Sequence, residues 1–150
     1  MASWAEFAAA EPAFAGKVAD RFAVRKHKTL ATLRKDGSPR ISGIEVEFGE
    51  GELYLGMMPG SRKLHDLQRD PRLALHSPTE DPPDQRPAGW SGEAKISGRG
   101  VPVDAADSTQ GARFCIDIGE VVLTRLNDAG DRLVVESWRP GQGRRRIERR

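Results

Sequence analysis

The sequence predicts a mainly β, α+β domain: a helical segment at the N-terminus, six or seven short antiparallel strands, and one short helix inserted between strands. Three observations predict it. Apolar and polar residues alternate with period two in several short runs. Those runs are separated by turn signals such as Asp36-Gly37, Glu50-Gly51 and "NDAGD". Helical spacing is confined to the first two dozen residues and to one stretch near the middle. Many short strands around a single inserted helix point to an antiparallel barrel closed to remove its sheet edges, and the pattern alone leaves a sandwich open as the alternative.

The elements follow in chain order. The N-terminal helical segment, residues 1–24, opens on "SWAE", a capping box of Ser3 with Glu6. Trp4, Phe7, Phe14, Val18 and Phe22 lie near helical spacing, and Pro12 splits the run because it has no N–H and crowds the preceding turn. "KTLATLRKDGSPRISGIEVEF" reads as a hairpin: an apolar run, the Asp36-Gly37 turn, then alternation that puts Ile44, Val46 and Phe48 on one face and Glu45 and Glu47 on the other. The Glu50-Gly51 turn leads to the strand "ELYLGMM". In "PGSRKLHDLQRDPR", Leu64 and Leu67 at i, i+3, an N-cap at Ser61 and a stop at Pro71 predict a short helix. "RLALHS" returns as a strand, and "SPTEDPPDQRPAG", with its prolines and no periodicity, is a surface loop. "EAKISGRGVPV" and "FCIDIGEVVLTRL" are strands, "NDAGD" a turn and "RLVVESW" the last strand. Gly98 and Gly100 in "SGRG" mark a bulge or sharp curvature. Cys115, among apolar neighbours, reads as a buried strand residue rather than a nucleophile.

Composition bounds the function classes. A chain of 150 residues, 37% hydrophobic and 31% charged, suits one single-core domain over residues 1–150. There is no run of 18 apolar residues, and acidic residues stand early where a signal peptide carries a basic region, so the expected location is cytoplasmic, away from membrane. The single cysteine excludes an intrachain disulfide and the usual zinc cluster, and His27, His65 and His76 lack metal-ligand spacing, so no metal is expected. Walker and Rossmann glycine loops and a nucleophile elbow are absent. The net charge of +2 hides an asymmetry: residues 139–150, "RPGQGRRRIERR", hold six arginines and one glutamate, or +5, which leaves −3 on residues 1–138. This end reads as an Arg-rich tail on a flexible "PGQG" hinge. It is a lid over an anionic ligand, a solvated tail or a nucleic-acid arm, and the last is not expected of a domain whose body is not basic.

Arg62 and Lys63 fall on the first turn of the predicted central helix, where each opposes the macrodipole by roughly 0.3 to 1 kcal/mol. Either they are solvated surface cations or they await an anion.

Taken in order, "LATLRKDGSPRISG", a hairpin, "LYLGMMPGSRKLHDLQRDPRLALHS" and "AKISGRG" resemble the pyridoxamine 5'-phosphate oxidase-like, flavin-binding split-barrel superfamily over roughly residues 25 to 138. "GSRK" followed by "RDPRLAL" is the most specific part of the likeness. The resemblance implies a six-stranded split β-barrel, an obligate homodimer, and FMN or the deazaflavin F-420 in two grooves at the dimer interface. It implies that Ser61, Arg62 and Lys63 hold the cofactor phosphate, that Arg40 and Ser42 lie beside the ring and ribityl chain, and that Met57 and Met58 meet the flavin from a strand end. Met57 stands where family members commonly carry a small polar residue, and its thioether reads equally as a flat neighbour of the flavin or as core filler; Glu93 stands where the oxidases proper carry an amide near the ring. By the same likeness Trp138 and Arg139 fold over the flavin edge; the competing reading makes Trp138 a barrel residue and Arg139 solvated. The C-terminal Arg-Leu motif of the true oxidases is replaced by "ESWRPGQGRRRIERR", so that activity is not implied. The expected function is an FMN-dependent oxidoreductase acting on an unassigned small molecule. A deazaflavin-dependent reductase is the alternative, and a non-catalytic flavin-, haem- or polyanion-binding protein the alternative of another class. No catalytic side chain is assigned.

Overall fold

The computed structural model describes residues 1–103 and 111–150. Two helices open the chain, α1 (Trp4–Ala10) and α2 (Pro12–Ala23). The Ser3 hydroxyl accepts from the Glu6 amide at 3.1 Å and the Ser3 amide donates back to the Glu6 carboxylate at 3.4 Å, which is the capping box. Pro12 begins α2, where its missing N–H would have had no helical partner. The shared apolar face holds Phe7, Phe14, Val18 and Phe22, all at most 1% exposed. Phe7 lies 5.7 Å from Phe14 and 4.8 Å from Trp138 between ring centroids, an aromatic cluster that fastens the helices to the sheet.

Among the described residues nine strands and one further α-helix follow: β1 (Lys28–Leu33), β2 (Pro39–Ile44), β3 (Val46–Gly49), β4 (Glu52–Met57), α3 (Arg62–Arg69), β5 (Arg72–His76), β6 (Glu93–Val103), β7 (Ala112–Leu126), β8 (Leu133–Arg139) and β9 (Gly143–Arg149). All are antiparallel in one sheet of order β2-β1-β5-β6-β7-β4-β3, with β8 and β9 branching from β7. The second arm of the predicted hairpin breaks at Glu45 into β2 and β3, and these two pieces stand at opposite ends of the order. The sheet therefore curls until its first and last strands are consecutive pieces of one bent segment, as in a split barrel, but no ladder joins β2 to β3 and hydrogen bonding does not close it. Inside the curl lie Leu30, Leu53, Leu55, Leu75, Ile96, Ile116 and Leu123. Register slips between Ser97 and Gly98, where a Cβ would stand 2.1 Å from the Asp117 carbonyl oxygen, so the bulge read from "SGRG" is required by backbone approach. Cys115 is a half-buried residue of β7, its thiol pushed up by burial and by the Glu52 and Asp117 carboxylates.

The C-terminal end departs from expectation. Residues 139–150 are not a tail on a flexible hinge: the Gln142 amide donates to the Arg139 carbonyl at 3.1 Å in a tight turn, and β9 then pairs with the whole of β8. Gly141 and Gly143, at φ +76° and +73°, supply the left-handed residues that such a turn needs. The arginines are not all solvated either. Arg144 reaches the buried Glu136 at 3.3 Å, and Arg125 holds the other oxygen of that carboxylate at 3.1 Å. The loop predicted at 77–89 is pinned at the surface by Trp90, whose indole donates to the Glu80 carbonyl at 2.8 Å, and it contains a single 3-10 turn at Pro87–Gly89. Among the described residues no helix is long and apolar enough to cross a membrane.

Candidate functional site

The predicted central helix is α3, and Ser61 is its N-cap residue in extended backbone. The Ser61 hydroxyl makes no cap bond. It is buried and has no hydrogen-bond partner, a condition that costs roughly 1 to 3 kcal/mol when nothing fills it. On the first turn beside it, Lys63 donates from Nζ to the Gly43 carbonyl of β2 at 2.9 Å, while Arg62 is exposed.

Arg62 opens onto a groove of about 710 Å³ between one side of α3 and the turn that joins β1 to β2. Arg34, Lys35, Arg40 and Arg69 line it with Arg62, against Asp36 and Asp66. Asp66 is only 2% exposed and accepts from Thr32 Oγ1 at 2.7 Å, Arg40 Nε at 2.7 Å and Arg69 at 3.0 Å. Burial pushes its carboxyl up, and those hydrogen bonds more than offset the effect, so the group sits below the usual carboxylate range. A groove with this surplus of cations beside a helix start can attract an anion.

A second concavity, about 440 Å³, lies on the outer face of the sheet, over β1, β5, β6 and β7. Thr29, Ala31, Ile41, His76, Lys95 and Glu120 line it. Glu93 stands at its margin, 3.6 Å from His76, and Arg139 reaches Glu120 at 2.8 Å.

The predicted site residues therefore separate into four sets. Ser61, Arg62 and Lys63 stand at the start of α3, Arg40 lies against Asp66 further along the helix in the groove that Arg62 also lines, and the half-buried Ser42 lies two residues along β2 from Arg40. Glu93 and Arg139 border the outer concavity instead, and Met58, 79% exposed, lies just past the end of β4, before Pro59. Met57 and Trp138 take the core side of their alternatives: each is 5% exposed within the hydrophobic core, Met57 on the inward face of β4 and Trp138 against Phe7. Arg139 is tied to Glu120 rather than folded over an edge with Trp138. Asp66, Thr32, Arg34, Lys35 and Arg69 went unread in the sequence. The available signal was Arg62, His65, Asp66 and Arg69 at i, i+3, i+4 and i+7, one polar face of α3.

A family model described as pyridoxamine 5'-phosphate oxidase matches residues 15–137. The chain belongs to that family. Solved structures agree on the fold. A pyridoxamine 5'-phosphate oxidase-related, FMN-binding protein of Nostoc punctiforme PCC 73102 superposes with a TM-score of 0.66 at 11% identity, covering 100% of this chain and 98% of that one. PhzG of Burkholderia lata 383, crystallised with tetrahydrophenazine-1-carboxylic acid, gives 0.64 at 12% identity, over 95% and 91%. HutZ, a haem storage protein of Vibrio cholerae, gives 0.54 at 12% identity, over 71% and 88%. At these identities the likeness establishes the split-barrel scaffold of the family. No curated protein matches the chain.

Proposed function

We propose that the protein is an FMN-binding oxidoreductase of the pyridoxamine 5'-phosphate oxidase-like type, acting on an unassigned small molecule. The observation that carries this is the groove beside α3 lined by Arg34, Lys35, Arg40, Arg62 and Arg69, with the unpartnered, buried Ser61 hydroxyl one residue before Arg62 at the helix start. A dianionic phosphate accepts from the hydroxyl and from the free amides of the helix start, and its charge answers the cations that oppose the dipole. In this reading Ser61, Arg62, Lys63 and Arg40 bind the phosphate, and Ser42 and the Gly43 backbone flank the ribityl chain along β2. Bound flavin supplies hydride or electron transfer; the chain's own part is to hold it, orient it and place positive charge near it.

The cofactor site is completed by a second copy of the chain. The outer sheet face supports this proposal: from β2 to β9 it presents Ile41 at 74% exposure and Ile147 at 46%, with the half-buried Ala31, Val122 and Val135 between them.

The deazaflavin F-420 is a second reading with its own observation. Arg34, Lys35 and Arg69 extend the groove's positive charge past the helix start, beyond what one phosphate requires, and suit a cofactor with further anionic groups on its tail.

Two measurements test the proposal. The absorbance of the purified protein should show flavin bands near roughly 370 and 450 nm, or one near roughly 420 nm for a deazaflavin. Titration of FMN into Arg62→Ala/Lys63→Ala should show affinity reduced about a hundredfold or more, since each charge-assisted bond is worth roughly 1.5 to 3 kcal/mol. An unchanged dissociation constant would remove the site.

A further inference from the structure

The groove's cations are held in place by an acid set beneath them. Asp66 projects from the middle of α3, is 2% exposed, and joins three elements: Thr32 of β1 donates to it at 2.7 Å, Arg40 of β2 at 2.7 Å, and Arg69 of the same helix at 3.0 Å. The two arginines are engaged differently. Arg69 divides one amino group between Asp66 and the Leu33 carbonyl at 2.8 Å, so it stays fixed to β1 whatever Asp66 does. Arg40 meets Asp66 through Nε, and among the described residues its terminal amino groups have no protein acceptor. Its side chain is 19% exposed, within the groove that Arg62 also lines.

We propose that Asp66 is a positioning residue for anion binding: its carboxylate locks the Arg40 guanidinium at Nε and thereby presents the two terminal amino groups to the ligand phosphate. The inference rests on the flavin reading above. An arginine left loose has to lose its rotamer freedom when the ligand arrives, whereas one already held by Nε has lost it on folding. The opposing effect is repulsion between the carboxylate and the incoming phosphate. It is reduced because Asp66, Arg40 and Arg69 together still carry +1 and because the three donors delocalise and saturate the carboxylate's charge. The orienting effect therefore prevails, and the two effects predict opposite signs for the neutral variant.

The experiment compares Asp66→Asn, Arg40→Gln and the double variant with the wild type, using FMN and, as a probe without phosphate, riboflavin. Asp66→Asn is expected to weaken FMN about tenfold, or about 1.4 kcal/mol, and to leave riboflavin within about twofold. In the Arg40→Gln background the same change should alter FMN affinity less than about twofold, because the arginine it orients is gone. FMN binding that is unchanged or tighter in Asp66→Asn overturns the inference, and so does an equal loss for both ligands, which marks a purely structural role. Where Asp66→Asn does not fold, Thr32→Val serves in its place: it leaves the charge and removes one of the bonds that orient it, and a loss of roughly threefold confined to FMN is expected, equal effects on both ligands being the contrary result. A wild type that binds no flavin sinks the flavin reading alone, and inorganic pyrophosphate then replaces FMN as the probe: a tenfold loss in Asp66→Asn upholds the positioning role, and no loss, or no pyrophosphate binding by the wild type, overturns it.

Discussion

Asp66 carries its charge where burial makes charge costly, and this fixes how the protein responds to acid. Burial raises its carboxyl, hydrogen bonds from Arg40, Thr32 and Arg69 lower it further than that, and the net position is below the ordinary value. A carboxyl depressed in the folded state contributes stability that is fully present above its unfolded value near about 3.9 and is lost as pH falls through the folded one. Urea unfolding of the wild type should thus weaken steeply below about pH 4. Asp66→Asn should be less stable at pH 7 by roughly 1 to 3 kcal/mol and should show a flatter acid limb, because the titrating group is gone. Parallel limbs for the two proteins would assign the acid sensitivity elsewhere. A second residue-scale outcome concerns the bulge. Gly98→Ala forces a Cβ to 2.1 Å from the Asp117 carbonyl oxygen and should cost several kcal/mol, while Gly43→Ala, with nothing within 4 Å of its Cβ, should be nearly silent in the same thermal melt. Equal melting temperatures for the two variants would show that the β6–β7 backbones are free to separate.

At the scale of elements, what the sequence disclosed depended on how local each signal was. The start of α3 was legible because Ser61, Leu64, Leu67 and Pro71 state a cap, an apolar face and a stop within eleven residues. The β6 bulge was legible from its glycines. β9 was not, because arginines on both faces hide the period of two, and the carboxylate that selects one face, Glu136, belongs to another strand whose register is set only by folding. Met57 and Trp138 stayed open between flavin and core for a related reason: a motif assigns a position in the chain, whereas the pleat decides whether a side chain enters the core. The cluster around Asp66 joins residues 32, 40, 66 and 69, and no window of sequence contains all four. Deleting residues 141–150 tests β9 directly. It strips Arg144 from Glu136, which is 4% exposed, and bares the edge of β8, so a loss of about 3 kcal/mol, or some 6 to 12 °C in Tm, is expected. β9 contributes nothing to the lining of the cationic groove, so within one protomer the deletion leaves that groove intact. A melt that does not move would return these residues to the status of a solvated tail.

For the whole molecule, the question is what covers the outer sheet face. Cross-strand partners run along it in rows, Ile41–Ala31–Ala74–Ser97–Glu120 in one and Thr124–Val135–Ile147 in another, and the apolar members of these rows are too exposed for a protein of this size to leave bare without a reason. The rim carries charges of both signs, Lys95, Arg145 and Arg149 against Glu93 and Glu120, which suits a face that meets its own copy about a two-fold axis: each sign on one protomer finds the other across the interface. β2 lies at one end of this face, and the Gly43 carbonyl that holds Lys63 is on β2, so a second copy seated there would wall the open side of the proposed cofactor groove. The expected mass by light scattering at micromolar concentration is close to twice 16.5 kDa. Val135→Glu and Ile147→Glu place two carboxylates in a row that the partner should bury, and should yield a monomer that melts cooperatively, since neither residue belongs to the protomer's core. If the partner completes the site, that monomer should also lose FMN affinity by more than tenfold although every residue of its own groove is intact. A monomeric wild type, or a monomeric variant that binds FMN as tightly as the wild type, would confine the cofactor to a single chain.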